Sequence, residues 1–155
     1  MSKSLARVIA ALEVAGLPGR PVEMGAETRT AQQAADAAGC ALDQIVKSIL
    51  FQGASGRLYL FLTAGGNQVD PGRAAALAGE PLGRADINVV RALTGFAIGG
   101  GGPPRHLPPR PTRIDRRLFD FAEVWAAAGT PRHIFPAEPQ ALARAAAAKA
   151  ADFTA

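Results

Sequence analysis

Lysine is rare in this chain. Of 17 Lys and Arg residues only Lys3, Lys47 and Lys149 are lysine, and Lys3 and Lys149 lie near the ends. Lys47 stands inside Gln44-Ile45-Val46-Lys47-Ser48-Ile49-Leu50-Phe51, an apolar, β-branched run of strand length. Strand alternation puts Lys47 on one face with Ile45, Ile49 and Phe51. An ammonium on an apolar face needs a partner or a task, because unpaired buried charge is costly. The plainer reading is an edge-strand lysine whose head snorkels to water. The run alone weighs the two equally.

A second feature offers backbone rather than side chains. Thr94-Gly95-Phe96-Ala97-Ile98 leads into Gly99-Gly100-Gly101-Gly102-Pro103-Pro104. Four glycines in a row maximise the entropy lost on folding. A compact domain keeps them where backbone must come close to something, and the two prolines stiffen the exit. Such a loop presents amides and carbonyls to a small ligand; a flexible surface turn is the ordinary alternative.

Several chemistries are excluded. A dinucleotide fingerprint needs its glycines to open a helix, which Pro103, Pro104, Pro108 and Pro109 forbid. No Gly-Lys-Ser/Thr follows the glycines, and there is no Gly-x-Ser-x-Gly elbow. His106 and His133 lack metal-ligand spacing, and the single Cys40 excludes an internal disulfide. No metal and no cofactor is called for. Cys40 follows Gly39 at an expected helix end and reads as a structural thiol. What remains is one lysine, a backbone-rich loop, a histidine, and hydroxyls at Thr28, Thr30 and Ser48. That set suits binding a charged substrate and stabilising an oxyanion while water attacks an activated ester. Arg105, Arg110, Arg113, Arg116 and Arg117 crowd one segment against a single acid, Asp115. They are either a solvated face or phosphate contacts.

The elements that must position these groups are short. Leu5, Val8, Ile9 and Leu12 have helical spacing, stopped by Gly16 and Pro18. Pro21 to Met24 suits a short strand. Thr30-Ala31-Gln32-Gln33 is a capping box opening a helix that ends at Gly39. Residues 45–52 and 58–63 read as a hairpin about Ala54-Ser55-Gly56. Asp70-Pro71 opens a helix to about Ala78, and Asp86 caps another carrying Ile87, Val90 and Leu93. Phe96 to Ile98 is a strand feeding the glycine loop, and Arg105 to Pro111 is irregular. Glu123 to Ala128 is ambiguous between helix and strand. Pro139 to Ala150 reads as a helix. The 155 residues form one domain, 1–155, without repeat or linker. Short strands and helices interleave without a strict βαβ rhythm, which implies a mixed, strongly curved sheet with helices outside.

Composition bounds the partners. Hydrophobic content is 48% and the net charge +4, with a pI near 10.0, which permits a polyanionic partner without proving one. No apolar run reaches the roughly 20 residues that span a bilayer. The start of the chain lacks a signal-peptide apolar region, so a cytoplasmic location and no membrane partner are expected.

Three segments together carry a resemblance. Thr28-Arg29-Thr30-Ala31-Gln32-Gln33-Ala34-Ala35, then Gln44-Ile45-Val46-Lys47-Ser48, then Thr94-Gly95 to Pro103, resemble the YbaK/EbsC-like family. This family includes the editing insertion domain of bacterial prolyl-tRNA synthetases and its free-standing relatives. The likeness extends to Ile114-Asp115 and to Val124-Trp125-Ala126-Ala127-Ala128-Gly129-Thr130-Pro131. It implies a barrel-like mixed α+β fold and turns Glu123 to Ala128 toward strand. It also implies hydrolysis of mischarged aminoacyl-tRNA, usually tRNA for proline, with an aminoacyl-tRNA synthetase as a further partner. By position, Lys47 would line the pocket near the terminal adenosine, and Gly99, Gly100, Gly101, Gly102 and Pro103 would place the ester carbonyl. Thr28 and Thr30 would lie at the pocket mouth, with Ser48 and His133 close by. Arg105, Arg110, Arg113, Arg116 and Arg117 would hold tRNA phosphates. Gly102 stands where many members have serine or alanine, and Ser48 where alanine-editing relatives tend to have asparagine. The activity expected is that of a trans-acting aminoacyl-tRNA deacylase. The alternatives are a non-catalytic tRNA- or nucleotide-binding module and an esterase of small acyl substrates.

Overall fold

The computed structural model describes residues 21–25, 30–85, 111–127 and 133–155, together with Ala6 and Ala10, which are helical. Along the chain run β1 (Val22–Glu23), α1 (Ala31–Ala38), a 3-10 turn (Leu42–Gln44), β2 (Ile45–Gly53), β3 (Leu58–Ala64), α2 (Pro71–Ala78) and β4 (Leu82–Arg84). Then come β5 (Thr112–Asp115), a second 3-10 turn (Arg116–Asp120), β6 (Val124–Ala127), β7 (His133–Ala137), α3 (Pro139–Ala145) and β8 (Lys149–Ala151). The eight described strands form one mixed sheet in the order β1-β7-β6-β2-β3-β5-β8, with β4 on β2. This is the mixed α+β architecture expected from the sequence. Among the described residues the path is open, with β1 at one end and β8 at the other.

Local chemistry sets the boundaries. At α1 the Thr30 hydroxyl accepts from the Gln33 amide at 3.1 Å, and the Gln33 side chain accepts from the Thr30 amide at 3.2 Å. This reciprocal pair satisfies two of the donors a helix start leaves unbonded. At α2 the Asp70 carboxylate accepts from the Gly72 and Arg73 amides, and Pro71 supplies the first helical residue. Strand β6 replaces the ambiguity at 123–128 with the strand that the resemblance implies.

One expected helix is shorter than its alanines suggest. The run 139–150 stops at Ala145, and Ala147 takes a φ of 51°. The Ala148 amide reaches back to the Ala143 carbonyl at 2.8 Å, closing the helix end. Lys149–Ala151 then pairs in parallel with β5, from Arg113↔Lys149 to Asp115↔Ala151. A left-handed alanine costs about 1–2 kcal/mol, and alanine's helix preference is worth under about 1 kcal/mol per residue. Edge pairing and the full burial of Phe153 just beyond outweigh both. The short strands β4, β5 and β7 were not foreseen either; β4 and β5 depend on partners distant in sequence, whereas β7 pairs with the neighbouring β6 and with the distant β1. The expected helix at 86–93, the strand at 96–98 and the glycine loop lie outside the described residues. So does most of the 5–12 helix.

The sheet buries both faces around the β2–β3 hairpin. Val46, Leu60, Leu62 and Ala64 face a core built with Ile114, Leu118, Val124, Phe135 and Leu142. On the other face, Tyr59 and Phe61 pack with Ala74 of α2 and with Phe153. Phe61 makes edge-to-face contacts with Phe51 and Phe153 at 5.6 and 4.9 Å. At the start of β2, Ile45 packs on Ala34 and Ala35 of α1. Lys47 alternates onto this second face, between the α1 cluster and the Phe61 cluster. Among the described residues no helix is long and apolar enough to cross a membrane.

Candidate active site

Register alone builds the centre of the site. Lys47 on β2 pairs with Thr63 on β3. One step beyond Leu62↔Ile114 on the parallel β3–β5 ladder lies Asp115. Three adjacent strands therefore set a lysine, a threonine and an aspartate in a row on one face. Thr63 is fully buried and its hydroxyl donates to the Phe61 carbonyl at 3.2 Å. Asp115 is 5% exposed.

After β3 the chain turns through Gly65-Gly66-Asn67, and the Asn67 amide closes the turn on the Ala64 carbonyl at 2.9 Å. The turn presses on the first 3-10 turn. A Cβ on Gly65 would stand 2.2 Å from the Leu42 carbonyl oxygen, which only glycine avoids. Asn67 then serves two partners. Its backbone carbonyl accepts a hydrogen bond from Lys47 Nζ. Its side-chain amide donates to Asp115 Oδ2 at 2.9 Å. Asp115 Oδ2 also accepts from the Ala64 amide at 3.1 Å, and Oδ1 from the Arg117 amide at 3.0 Å. Three donors satisfy the buried carboxylate.

Arg117 continues the network. Its Nε donates to Asp43 Oδ2 at 2.9 Å and its Nη1 to Asp120 Oδ2 at 3.0 Å. The guanidinium lies over the Phe121 ring, 4.7 Å from its centre. Asp43 Oδ1 in turn accepts from the Gly66 amide at 2.9 Å.

Burial pushes the Lys47 ammonium below the ordinary lysine range, and Asp115 and then Asp43 pull it partly back. Asp43, followed by Asp120, raises Arg117, which stays charged. The site thus holds a partly desolvated ammonium aimed at a neutral carbonyl, with carboxylates behind it. A compact cation so placed suits an anionic or strongly polar oxygen, such as a phosphate, a ribose hydroxyl or an ester carbonyl. Among the described residues no group of three or more His, Cys, Asp or Glu could hold a metal ion.

The other expected site residues are dispersed. Thr28, Gly99, Gly100, Gly101, Gly102, Pro103, Arg105 and Arg110 lie outside the described residues. Thr30 is exposed, and its hydroxyl caps α1. Ser48 pairs with Leu62 and alternates onto the face of Val46 and Leu50, away from Lys47. His133 opens β7 opposite Glu23, with Nε2 3.8 Å from the Glu23 carboxylate. It shares its face with Phe135 and Ala137, which again is not the face of Lys47. Arg113 is half-buried between Phe61 and Lys149 in register. Arg116 pairs with Asp152 at 3.0 Å on the surface. Asp43 and Asn67 were not anticipated, and Asp115 was noted as the lone acid among arginines and as part of the family likeness, without a role in the site. The available signal was Gly65-Gly66 directly after a buried strand.

Comparison with known proteins follows the same lines. A family model described as the aminoacyl-tRNA editing domain matches residues 25–145. A solved structure described as a candidate trans-editing enzyme for prolyl-tRNA synthetase is 47% identical and superposes with a TM-score of 0.93. That match covers 100% of this chain and 99% of the other. A second solved structure, described as a hypothetical protein, is 29% identical with a TM-score of 0.85, over 96% of this chain and 99% of the other. Among curated proteins, the uncharacterized YwhH of Bacillus subtilis (strain 168) is 28% identical over 120 residues, 77% of this chain and 76% of its own length.

Proposed function

The chain belongs to the aminoacyl-tRNA editing domain family, and from that membership we propose that it is a trans-acting deacylase of mischarged aminoacyl-tRNA. The observation that carries this reading is Lys47, a partly desolvated ammonium held by the Asn67 carbonyl in a row with the buried Thr63 and Asp115. Its role is to orient the terminal adenosine end of the tRNA so that the ester lies in reach of the loop amides. Water attacks the ester carbonyl, and backbone amides of Gly99–Gly102, held by the stiff Pro103 exit, stabilise the developing oxyanion. The vicinal ribose hydroxyl assists, so the protein need not supply a base. Arg113 and Arg116, with Arg105 and Arg110, contribute phosphate contacts. The tRNA for proline is the first candidate substrate, because a relative at 47% identity is described as serving prolyl-tRNA synthetase.

The test is release of free amino acid from a panel of mischarged tRNAs, with short aminoacyl-nucleotides run in parallel. Turnover of at least one full-length tRNA, lost in Lys47→Ala, is expected. Equal turnover of the short ester would point to a small-substrate esterase. Binding of tRNA without release from any member would make the protein a binding module and overturn the proposal.

A further inference from the structure

The groups behind Lys47 form a closed circuit. Starting at Asp115, Oδ1 accepts from the Arg117 amide. The Arg117 guanidinium donates to Asp43 Oδ2, and Asp43 Oδ1 accepts from the Gly66 amide. Gly66 is bonded to Asn67, whose side-chain amide returns to Asp115 Oδ2. We infer that Asp43, Asn67, Asp115 and Arg117 are positioning residues for Lys47, closing a ring of hydrogen bonds that fixes the Asn67 carbonyl against its ammonium. The inference rests on the reading of Lys47 as the group that meets the substrate.

Three observations carry it. First, the ring joins three segments far apart in sequence: the first 3-10 turn, the loop after β3, and the β5 end with its 3-10 turn. Each carboxylate spends its two oxygens on different segments, so neither can serve one without holding the other. Second, Asn67 is doubly committed. Its side chain goes to Asp115 and its carbonyl to Lys47, so turning the residue to improve one contact loses the other. Third, the turn lies tight against the ring. A Cβ on Gly66 would stand 2.3 Å from Asp43 Oδ1. A lysine stem has several rotatable bonds, and a fixed acceptor is what selects one position for its head.

The consequence reassigns one arginine. Arg117 has its Nε and Nη1 bonded to Asp43 and Asp120, and its face lies over Phe121. It acts on the site through Asp43 rather than by meeting tRNA directly.

Lys47 has an advantage as a reporter, since only two other lysines exist to confuse its signal. The experiment follows Lys47 by carbon-13 NMR of labelled lysine across pH, alongside kcat and KM for deacylation, in wild type, Asp115→Asn, Asn67→Ala and Arg117→Gln. The charged groups facing Lys47 are Asp115 from β5 and Asp43 from the first 3-10 turn, with Arg117 beside both. Asp115→Asn removes a carboxylate that favours the ammonium, so the Lys47 midpoint should fall. Asn67→Ala removes no charge but frees the loop, so Lys47 should return toward water and its midpoint should rise. Both should lower kcat by about 10- to 100-fold with KM held within about twofold, the expected scale for a misplaced contact group. A purely structural role would move both midpoints upward, toward an ordinary lysine, and would overturn the proposal; so would midpoints and kcat that do not change. Should Asp115→Asn fail to fold, Arg117→Gln opens the ring from its solvent side, and an unchanged kcat there would equally overturn it. A wild-type protein that releases no amino acid would overturn the deacylase reading alone, because the titration of Lys47 decides the ring independently.

Discussion

The two ends of the β2–β3 hairpin use the same device for different ends. At the closed end Glu80 accepts from the Ser55 amide at 2.7 Å, the Ser55 hydroxyl at 2.8 Å and the Tyr59 hydroxyl at 2.5 Å. At the open end Asp115 likewise accepts from three donors. A glycine also stands close at each end: a Cβ on Gly53 would meet the movable Glu80 side chain at 2.4 Å, and one on Gly65 the Leu42 backbone carbonyl at 2.2 Å. The difference is what lies next to them. The Glu80 cluster ties a turn to the chain after α2 with neutral donors, and the cation near it, Arg57, is exposed to solvent. The Asp115 cluster backs onto an ammonium that is itself directed at a neutral carbonyl. Satisfied carboxylates alone therefore mark scaffold; a carboxylate arranged behind a desolvated cation marks a candidate site.

The strongest test of that contrast is Lys47→Met. Deacylation should drop by about 10²-fold, the scale of a substrate left misplaced at the reacting bond. Stability should not fall. Because the folded-state pKa of Lys47 lies below its ordinary value, the protonated lysine costs stability below that pKa, and the cost is relieved as pH rises through it. The variant should thus melt at the same temperature as wild type or higher at neutral pH, with the gap closing in alkali. Thermal melts across pH beside rate measurements check both. A variant that melts lower while keeping activity would make Lys47 part of the scaffold and erase the contrast.

The glycines sharpen it next. Gly65→Ala drives a β-carbon into the backbone of the first 3-10 turn and should cost about 1–3 kcal/mol as an overpacked position. It should also lower kcat, because it displaces the turn that carries Asn67. Gly53→Ala meets a side chain instead and should lower stability with kcat intact. Glu80→Gln belongs to the same arm. The Tyr59 hydroxyl, then the Ser55 amide and hydroxyl, hold the Glu80 carboxylate below its usual range. That stabilisation is present above the unfolded-state pKa and lost as pH falls through the folded one. Wild type should therefore outmelt Glu80→Gln at pH 7 by a margin that shrinks in acid, with deacylation equal in both. A loss of kcat in either closed-end variant would show that the two ends are coupled.

What could be read from the sequence follows the same division between local and distant causes. The Thr30–Gln33 box, Asp70-Pro71 and the hairpin were legible because each signal lies within a few residues of the structure it sets. Lys47 was legible as a cation on an apolar face. Strand β8 was not, since Lys149-Ala150-Ala151 carries no strand preference and pairs because β5 has a free side to offer. The Asp43–Asn67–Asp115–Arg117 ring was not legible because its members are brought together by a parallel register and two 3-10 turns. Ser48 and His133 teach the converse. Alternation along β2 already turned Ser48 from Lys47, and the two-strand path from β2 to β7 turned His133 likewise.

Thr30 provides the smallest and most discriminating case, because sequence resemblance and structure give it different tasks. The resemblance places its hydroxyl at the mouth of the pocket; the structure uses that hydroxyl to cap α1. Helix α1 packs Ala34 and Ala35 on Ile45, two residues from Lys47, so a frayed helix start would touch the site indirectly. Thr30→Ala should cost about 1 kcal/mol, the usual worth of such a cap. Thr30→Asp restores the cap, since a carboxylate accepts the same amide bond and also favours the positive end of the helix. If capping is the whole role, the aspartate variant recovers both melting temperature and kcat. If the hydroxyl also meets the substrate, melting recovers and deacylation does not, because a negative charge facing phosphate or ester would repel it. Recovery of stability without activity would extend the open-end site across to α1, and recovery of both would leave α1 outside it.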